Sequence, residues 1–233
     1  MTTVGCIGRV RAVLVGPAVP YTRPGVRSAI AKQAVSGHIH ASALGLAGDE
    51  QGDTHAHGGP DKAIHLYAHE HYAVWRTELG ALPLLDAPGA FGENLSTEGV
   101  DEHTLCLGDR LQIGEVVLEI AQGRQPCWKL NDRFGVPDMA RRLQDTLRTG
   151  WYCRVQRTGT LAAGADIFLL ERPHPDWSVA RLMALLYRRC LDPQLLEQAL
   201  TLPLVPGWRK IVEQRLARGA VEDWQKRLHG PAV

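Results

Sequence analysis

The sequence predicts a predominantly β protein of the α+β class, in which a β-barrel or sandwich domain over residues 1–172 precedes a small helical domain over residues 173–233. Three observations lead to this prediction. Short β-prone runs separated by turn residues recur through the first part, the segment "ERPHPDW" interrupts this pattern with prolines, and the remainder has the features of short helices. Many short strands in one chain favour a closed or sandwiched sheet.

Six apolar or alternating runs are the predicted strands: 5–15, 63–67, 105–113, 116–121, 152–157 and 167–170. Turn dipeptides such as Gly108-Asp109 separate neighbouring runs. Two helices are expected between the strands, over His69–Leu79 and Val136–Leu147. In the second helix, apolar side chains recur every four residues and define one face.

The break between the two predicted domains is Glu171–Trp177, because two prolines within three residues cannot continue a strand ladder. After it, Ser178 is a typical helix cap, and Asp192 is followed by a proline suited to a first helical turn. The run "GWRKIVEQRLARG" ends on glycine, as helices often do. We expect three or four short helices between Ser178 and Leu228.

The composition is that of an ordinary globular protein and argues against several functional classes. The 233 residues carry a formal net charge of +1, with 45% hydrophobic and 22% charged residues, so neither nucleic acid nor an anionic membrane is expected as the main partner. The sequence shows neither the roughly 20-residue apolar run of a membrane span nor a signal peptide, so a cytoplasmic protein is expected. Five widely spread cysteines without a C-x-x-C pair favour reduced thiols.

The first candidate site is "LGLAGDEQGDTHAHGGPDKAIHLY", Leu44–Tyr67, in which acidic and histidine side chains alternate with glycines. Histidines in such a loop are compatible with metal or anion binding. However, neither His55 with His57 nor His65 with His69 provides the H-E-x-x-H pattern of helical zinc hydrolases. A metal held by protein ligands is therefore the less favoured alternative to surface histidines or histidines that hydrogen-bond the loop backbone.

Two further segments carry hydrogen-bonding groups. The segment "FGENLSTEG" holds Asn94 before a Ser-Thr pair, although an asparagine in a glycine-flanked turn most often bonds its own backbone. The segment "RSAIAK" holds Arg27, Ser28 and Lys32, which lie close together if the chain turns there. A solvated basic stretch is the ordinary alternative for this second segment.

The fourth segment is "GRQPCWKL", in which Arg124 precedes Cys127 by three residues and Lys129 follows it by two. A thiolate is both the nucleophile and the soft metal ligand, and neighbouring cations favour this charged form of cysteine. Residue chemistry alone leaves a buried packing cysteine as the more common explanation.

Four segments in this chain order, "GDEQGDTHAHGGPDKAIHLY", "FGENLSTEG", "LGDRLQIG" and "GRQPCWKL", resemble the MOSC family, named after the C-terminal domain of molybdenum cofactor sulfurase. The stretch "SAIAK" and the helical tail add a resemblance to its YiiM-type subgroup, and the resemblance spans nearly the whole chain. It implies a MOSC-type β-barrel domain followed by a three-helix C-terminal domain. It also implies that the protein binds the molybdenum cofactor, molybdopterin with Mo.

The resemblance assigns roles to individual residues. The family's single cysteine corresponds to Cys127, which would supply a thiolate to molybdenum beside the dithiolene sulfurs of the pterin. Arg124 and Lys129 would keep that thiol deprotonated and meet the anionic, phosphorylated pterin. The other residues implied are Arg27, Ser28 and Lys32 for phosphate or pterin contacts, Asn94 for the amide edges of the pterin, Asp49 for the pocket lining, and His57 for the lining and for proton delivery.

The activity that the resemblance implies is the reduction of N-hydroxylated compounds, such as 6-N-hydroxylaminopurine-type bases, by oxygen transfer to Cys-ligated molybdenum. The sequence has neither an iron–sulfur cysteine set nor a dinucleotide fingerprint, so electrons are expected from a separate reductase or carrier. The alternative from a different class is a carrier of the cofactor, or of a persulfide on Cys127, without substrate turnover. The oligomeric state stays open, with a homodimer as one option.

A third alternative is a binding module that docks nucleic acid or protein through the basic C-terminal helices. The segment "WRKIVEQRLARG" is rich in cations. The more common explanation for such a run is an exposed, solvated helix face. On that explanation the exposed residues would be Arg209, Lys210, Arg215 and Arg218.

Overall fold

The computed structural model describes residues 5–52 and 58–230. The strands in these ranges are β1 (Cys6–Val15), β2 (Val19–Pro20), β3 (Arg27–Ser28), β4 (Gln33–Ala34), β5 (Ile39–Ser42), β6 (Gly45–Leu46), β7 (Ile64–Ala68), β8 (Leu95–Glu98), β9 (Arg110–Ile113), β10 (Val116–Gly123), β11 (Trp151–Arg157), β12 (Gly159–Leu161) and β13 (Asp166–Glu171). The α-helices are α1 (Glu70–Leu79), α2 (Lys129–Phe134), α3 (Met139–Thr146), α4 (Val179–Tyr187), α5 (Pro193–Leu200), α6 (Pro206–Arg218) and α7 (Gln225–His229). None of these helices combines the length and the apolar composition that a membrane crossing requires.

Seven strands close into a barrel in the order β13-β9-β10-β11-β7-β8-β1, because β1 pairs with both β8 and β13. Neighbouring strands are antiparallel except β7 and β8, which are parallel. The register of β1 shifts between Cys6 and Gly8 and again between Val10 and Ala12. Such irregularities bend a strand, which allows this ten-residue strand to serve two neighbours and close the sheet. The predicted β-barrel class is confirmed.

Five of the six predicted strands correspond to β1, β7, β10, β11 and β13, with ends that differ by one or two residues. The prediction for 105–113 is correct only at its end, where β9 lies. Its first half is a turn, because the buried Asp109 carboxylate accepts a hydrogen bond from the amide of Cys106 at 2.9 Å. The short strands β2 to β6, β8 and β12 contain two to four residues each, too few to show an alternating pattern in the sequence.

The four helices after β13 confirm the predicted helical tail. The Ser178 hydroxyl caps α4 by accepting a hydrogen bond from the amide of Arg181 at 3.1 Å, and the Asp192 carboxylate caps α5 by accepting one from Gln194 at 2.9 Å. Gly219 ends α6 with a left-handed φ of 60°. Buried side chains of the barrel and of α4 to α6 form one continuous cluster, so the core extends across the predicted domain boundary.

Arg215 departs from the expected exposed basic face of the helical tail. Its buried guanidinium donates hydrogen bonds to the carbonyl oxygens of Leu185, Leu186 and Cys190 at 3.0, 2.7 and 3.3 Å. It also forms a bidentate ion pair with Glu222, at 2.9 and 2.8 Å. The residue extends the buried face of α6, which also carries Trp208 and Val212, so helical spacing rather than charge decides its position.

We expect Arg215→Ala to lower the free energy of unfolding by about 2–4 kcal/mol, because it removes one donor from each of three carbonyl groups and takes away the ion-pair partner of Glu222. Urea unfolding followed by circular dichroism measures this change. Arg218→Ala removes a cation from the exposed end of the same helix and should change the free energy of unfolding by less than about 0.5 kcal/mol. Equal losses in the two variants would contradict the buried role of Arg215.

Candidate functional site

A pocket of about 610 Å³, the open solvent at its mouth included, lies where β10 ends and where β8 and β11 begin. Six segments of the described chain line it. They are the turn between β3 and β4, the loop after β6, the entry to β7, the loop before β8, the loop between β10 and α2, and the start of β11. The pocket is therefore assembled from parts of the chain that are far apart in sequence.

The structure brings seven of the nine candidate residues to this pocket: Ser28, Lys32, Asp49, Asn94, Arg124, Cys127 and Lys129. Arg27 is not part of the described lining. Its exposed side chain donates a hydrogen bond to the carbonyl oxygen of Ala18, and its own carbonyl accepts one from Lys129. His57 lies outside the described residues, as does His55.

The thiol of Cys127 lies in the pocket lining and the residue is 9% exposed. Its backbone belongs to the loop that connects β10 to α2, and its carbonyl accepts a hydrogen bond from the amide of Leu130 at 3.0 Å. No sequence pattern predicts α2, because six residues are too few to display a helical repeat. Within the described lining, Cys127 is the only sulfur donor.

Two buried cations share the pocket with this thiol. The side chain of Arg124 donates a hydrogen bond to the carbonyl of Phe91 at 2.8 Å, and the ammonium group of Lys129 donates one to the carbonyl of Arg27 at 3.0 Å. Both residues are less than 8% exposed, and neither forms an ion pair with a carboxylate within residues 5–52 and 58–230. Buried charges are normally compensated by an opposite charge. This part of the pocket therefore favours an anionic ligand.

A third lysine of the lining is neutralised within the protein. The ammonium group of Lys32 forms an ion pair with Asp49, and both side chains are less than 10% exposed. The Asp49 carboxylate also accepts hydrogen bonds from the amide of Gly16 at 2.9 Å and from the side-chain amide of Asn94 at 2.8 Å. Burial lowers the pKa of Lys32 from its ordinary value, while the charge of Asp49 and its hydrogen bond oppose this change.

The amide group of Asn94 is committed to the protein rather than to a ligand. Its nitrogen donates to Asp49 and to the carbonyl of Leu14 at 3.2 Å, so both N–H bonds are used. Its oxygen accepts a hydrogen bond from the amide of His65 at 3.0 Å. The side chains of Lys32, Asp49 and Asn94 therefore bond one another, while Ser28, Arg124 and Lys129 are the candidate residues that remain available for ligand contacts beside Cys127.

Two glycines allow the lining segments to approach one another. A Cβ atom at Gly52 would lie 2.5 Å from the carbonyl oxygen of Arg27. With any other residue at this position, the loop after β6 could not lie as close to β3 as it does. Gly92 has a φ of 72°, and a Cβ atom there would lie 2.8 Å from the side chain of Ile30. The neighbouring Glu93 is fully buried and accepts hydrogen bonds from the hydroxyl of Tyr72 and from the amides of Gly89 and Phe91, which fixes this turn.

His65 and Tyr152 also line the pocket, although the family resemblance assigned no role to either residue. Their rings lie 4.9 Å apart between centroids. Burial, and then the charge of Arg124, lowers the pKa of His65 well below its ordinary value of 6.5. Burial raises the pKa of Tyr152. These two rings are therefore an uncharged part of the pocket lining. They lie together because β7 and β11 pair at positions 65 and 152, and no local sequence pattern reveals this pairing.

Comparison with known proteins identifies the family. The chain matches the model of the MOSC domain over residues 53–168 and that of the YiiM-like, 3-alpha helix domain over residues 177–219. The chain belongs to the MOSC family. The resemblance of the ordered segments to this family and to its YiiM-type subgroup is thereby confirmed.

Within the part of the chain that the structure describes, no group of three or more His, Cys, Asp and Glu side chains is placed to hold a metal ion.

Relatives in the MOSC family include "Protein YiiM" of Escherichia coli (strain K12), which is 37% identical over 207 residues, or 88% of this chain and 92% of that protein. A crystal structure of YiiM from Escherichia coli has a TM-score of 0.79 and 31% identity, covering 95% of this chain and 99% of that one. A protein named "Reductase" from Gibberella moniliformis (strain M3125 / FGSC 7600) is 40% identical over 192 residues, 82% of this chain. The chain spans 34% of that relative's length.

The buried His65 of this MOSC barrel should make the protein less stable in acid. Its pKa in the folded protein lies well below 6.5, so below that pH the unfolded chain binds a proton that the folded chain does not. The free energy of unfolding should therefore fall as the pH is lowered from about 6.5 to 5, by up to about 1.4 kcal/mol per pH unit from this residue.

Urea unfolding at a series of pH values measures this slope. His65→Gln should have a shallower slope than the wild type, whereas His103→Gln, which changes an exposed histidine, should keep the wild-type slope. If wild type and His65→Gln had parallel slopes, the assignment of a neutral, buried His65 would be wrong.

Proposed function

We propose that the pocket around Cys127 binds the molybdenum cofactor and that the protein uses it to reduce N-hydroxylated compounds, such as N-hydroxylated purine bases, to amines. The observation that carries this proposal is the shared burial of one thiol and two cations that have no carboxylate partner in the described chain. Membership of the MOSC family and a relative named "Reductase" support it.

The pocket residues fit the chemistry of this cofactor. Its metal is bound by two dithiolene sulfurs, and a thiolate such as that of Cys127 is a donor of matching softness. Its phosphorylated pterin is an anion, which the charges of Arg124 and Lys129 would compensate by charge-assisted hydrogen bonds. The hydroxyl of Ser28 accepts a weak hydrogen bond from the amide of Ile30 at 3.3 Å and keeps its own proton available for donation.

When bound, the molybdenum centre supplies the two-electron oxygen-transfer chemistry. In the overall reaction, R–NHOH, two electrons and two protons give R–NH₂ and water, so the N–O bond is broken and the nitrogen is reduced. Both electrons come from a separate reductase or carrier protein. We assign proton delivery to His57, the residue that the family resemblance suggests for it.

The residues of this chain hold and orient the reacting groups. Cys127 binds the metal, and Arg124 and Lys129 retain the anionic part of the cofactor. The charges of Lys32 and Asp49 and the amide hydrogens of Asn94 are paired with one another or with the backbone. The Asp49 carboxylate is therefore not a partner for Arg124 or Lys129. The uncharged rings of His65 and Tyr152, tilted by 36° to each other, offer an aromatic surface for a heteroaromatic substrate or for the pterin.

Cys127→Ser tests this proposal, because a hydroxyl is a hard, poorly acidic ligand in place of a soft thiolate. Protein purified from a host that makes the cofactor, and assayed with a hydroxylaminopurine and a chemical reductant, should form the amine. The variant should lose activity by roughly 100-fold or more. The matched control is Cys190→Ser, which changes a half-buried cysteine outside the pocket lining and should keep the wild-type rate.

Two results would contradict the proposal. The first is a loaded wild-type protein that forms no amine, and the second is a Cys127→Ser variant with the full wild-type rate. A stable persulfide on Cys127 in a wild-type protein without reductase activity would instead identify a sulfur carrier.

A further inference from the structure

Arg227 holds the peptide groups on both sides of Cys127. Its guanidinium donates a hydrogen bond to the carbonyl oxygen of Pro126 at 2.6 Å, and its own carbonyl accepts one from the amide of Trp128 at 2.8 Å. The first contact fixes the peptide unit that precedes the Cα atom of Cys127, and the second fixes the unit that follows it. Because peptide units are planar, these two contacts restrict both backbone dihedral angles of Cys127.

The guanidinium of Arg227 is itself held in place. A second nitrogen donates a hydrogen bond to the side-chain oxygen of Gln144 at 2.5 Å, and the group lies 5.8 Å from the ring of Tyr187 and 5.9 Å from that of Trp224. Burial lowers the pKa of Arg227, whereas Tyr187, Cys127 and Glu222 raise it. The planar fork of arginine is suited to such simultaneous contacts, which the flexible ammonium of a lysine does not reproduce.

The helix α7, which carries Arg227, is attached to α2 next to the Cys127 loop and to α6 of the helical tail. The side-chain amide of Asn131 donates a hydrogen bond to the carbonyl of Leu228 at 2.8 Å. The guanidinium of Arg23 donates one to the carbonyl of His229 at 3.1 Å and lies 3.9 Å from the ring centre of Trp128. At the other end, Glu222 accepts a hydrogen bond from the indole of Trp224 at 2.7 Å and pairs with the buried Arg215 of α6.

We propose that Arg227 is a positioning residue for the thiol of Cys127, which makes α7 a part of the site. This inference rests on the proposed role of Cys127 as the metal ligand. Neither family match reaches α7, since they end at residues 168 and 219. The site thus takes a supporting residue from a segment 100 positions beyond its cysteine along the chain.

Several titratable or charged groups surround this thiol, and Arg227 is the one among them that the variants change. Tyr21, Tyr152 and Arg227 interact electrostatically with Cys127, and burial raises the pKa of Tyr21 to about 12. The charged residues that line the same pocket are Lys32, Asp49, Glu50, Lys62, Arg124 and Lys129. Substitutions of Arg227 and Lys226 leave Tyr21, Tyr152 and these six lining residues unchanged.

Thiol labelling of cofactor-free protein tests the proposal without any reductase assay. Iodoacetamide modifies each cysteine at a rate that depends on its access to solvent and on the fraction present as thiolate, and peptide mass spectrometry resolves the five sites. In Arg227→Ala, Cys127 should be alkylated at least about fivefold faster than in the wild type, because its loop opens more often. The fully buried Cys153 of β11 should keep its slow rate, which shows that the barrel remains folded.

Two further variants separate positioning from charge. Arg227→Lys retains the cation but not the planar fork, so its labelling rate at Cys127 should lie between those of wild type and Arg227→Ala. Lys226→Ala removes a cation from the exposed neighbouring position and should label like the wild type. In loaded protein, Arg227→Lys should recover part of the kcat that Arg227→Ala loses, with little change in KM.

The outcomes distinguish this inference from the proposed function. Faster labelling of Cys127 alone supports the positioning role even if loaded wild-type protein proves inactive as a reductase. Wild-type labelling of Cys127 in Arg227→Ala would overturn the inference even if the reductase activity is real. Equal acceleration at Cys127 and Cys153 would also overturn it, because Arg227 would then stabilise the whole fold rather than this loop.

Discussion

The buried carboxylate of Asp49 is the constraint on which the pocket depends. It accepts hydrogen bonds from a backbone amide after β1 and from the side chain of Asn94, and it pairs with Lys32. Asn94 extends the same network to the backbone of β1 and β7. A buried polar group without its partners is costly, so these segments have one satisfactory arrangement. That arrangement forms the wall against which the pocket opens.

Two other cations of the pocket lining differ from Lys32 in having no carboxylate partner within the described residues. Arg124 and Lys129 are buried with carbonyl partners, which satisfy their hydrogen bonds but do not cancel their charge. A folded protein retains such groups at a cost in stability, and an anionic ligand would recover that cost on binding. Cys127 lies between these two cations in sequence and shares their pocket. On the proposed function, a soft donor together with uncompensated positive charge would suit a metal that arrives with its own anionic organic ligand.

The sequence predicts those parts of the protein whose signal is local or carried by ordered family segments. The barrel class, the strand β1, the caps of α4 and α5 and the family membership all belong to this group. Arg215 was assigned to the wrong environment, because its charge outweighed its place on a buried helix face in the prediction. The brace of Lys32, Asp49 and Asn94, the pairing of His65 with Tyr152, and the contacts of Arg227 depend on residues far apart in the chain. Local sequence patterns do not reveal contacts between distant residues. The prediction for His57 stays untested, because this residue lies outside the described residues.

The central claim is that Cys127, in its cationic pocket, holds molybdenum as part of the cofactor. The most direct measurement is the ratio of molybdenum and pterin to protein, by elemental analysis and pterin fluorescence, for wild type and Cys127→Ala from a host that makes the cofactor. Loss of molybdenum from Cys127→Ala, with the barrel still folded, is the result that this account predicts. Equal molybdenum in the two proteins would remove Cys127 as the ligand and contradict the account.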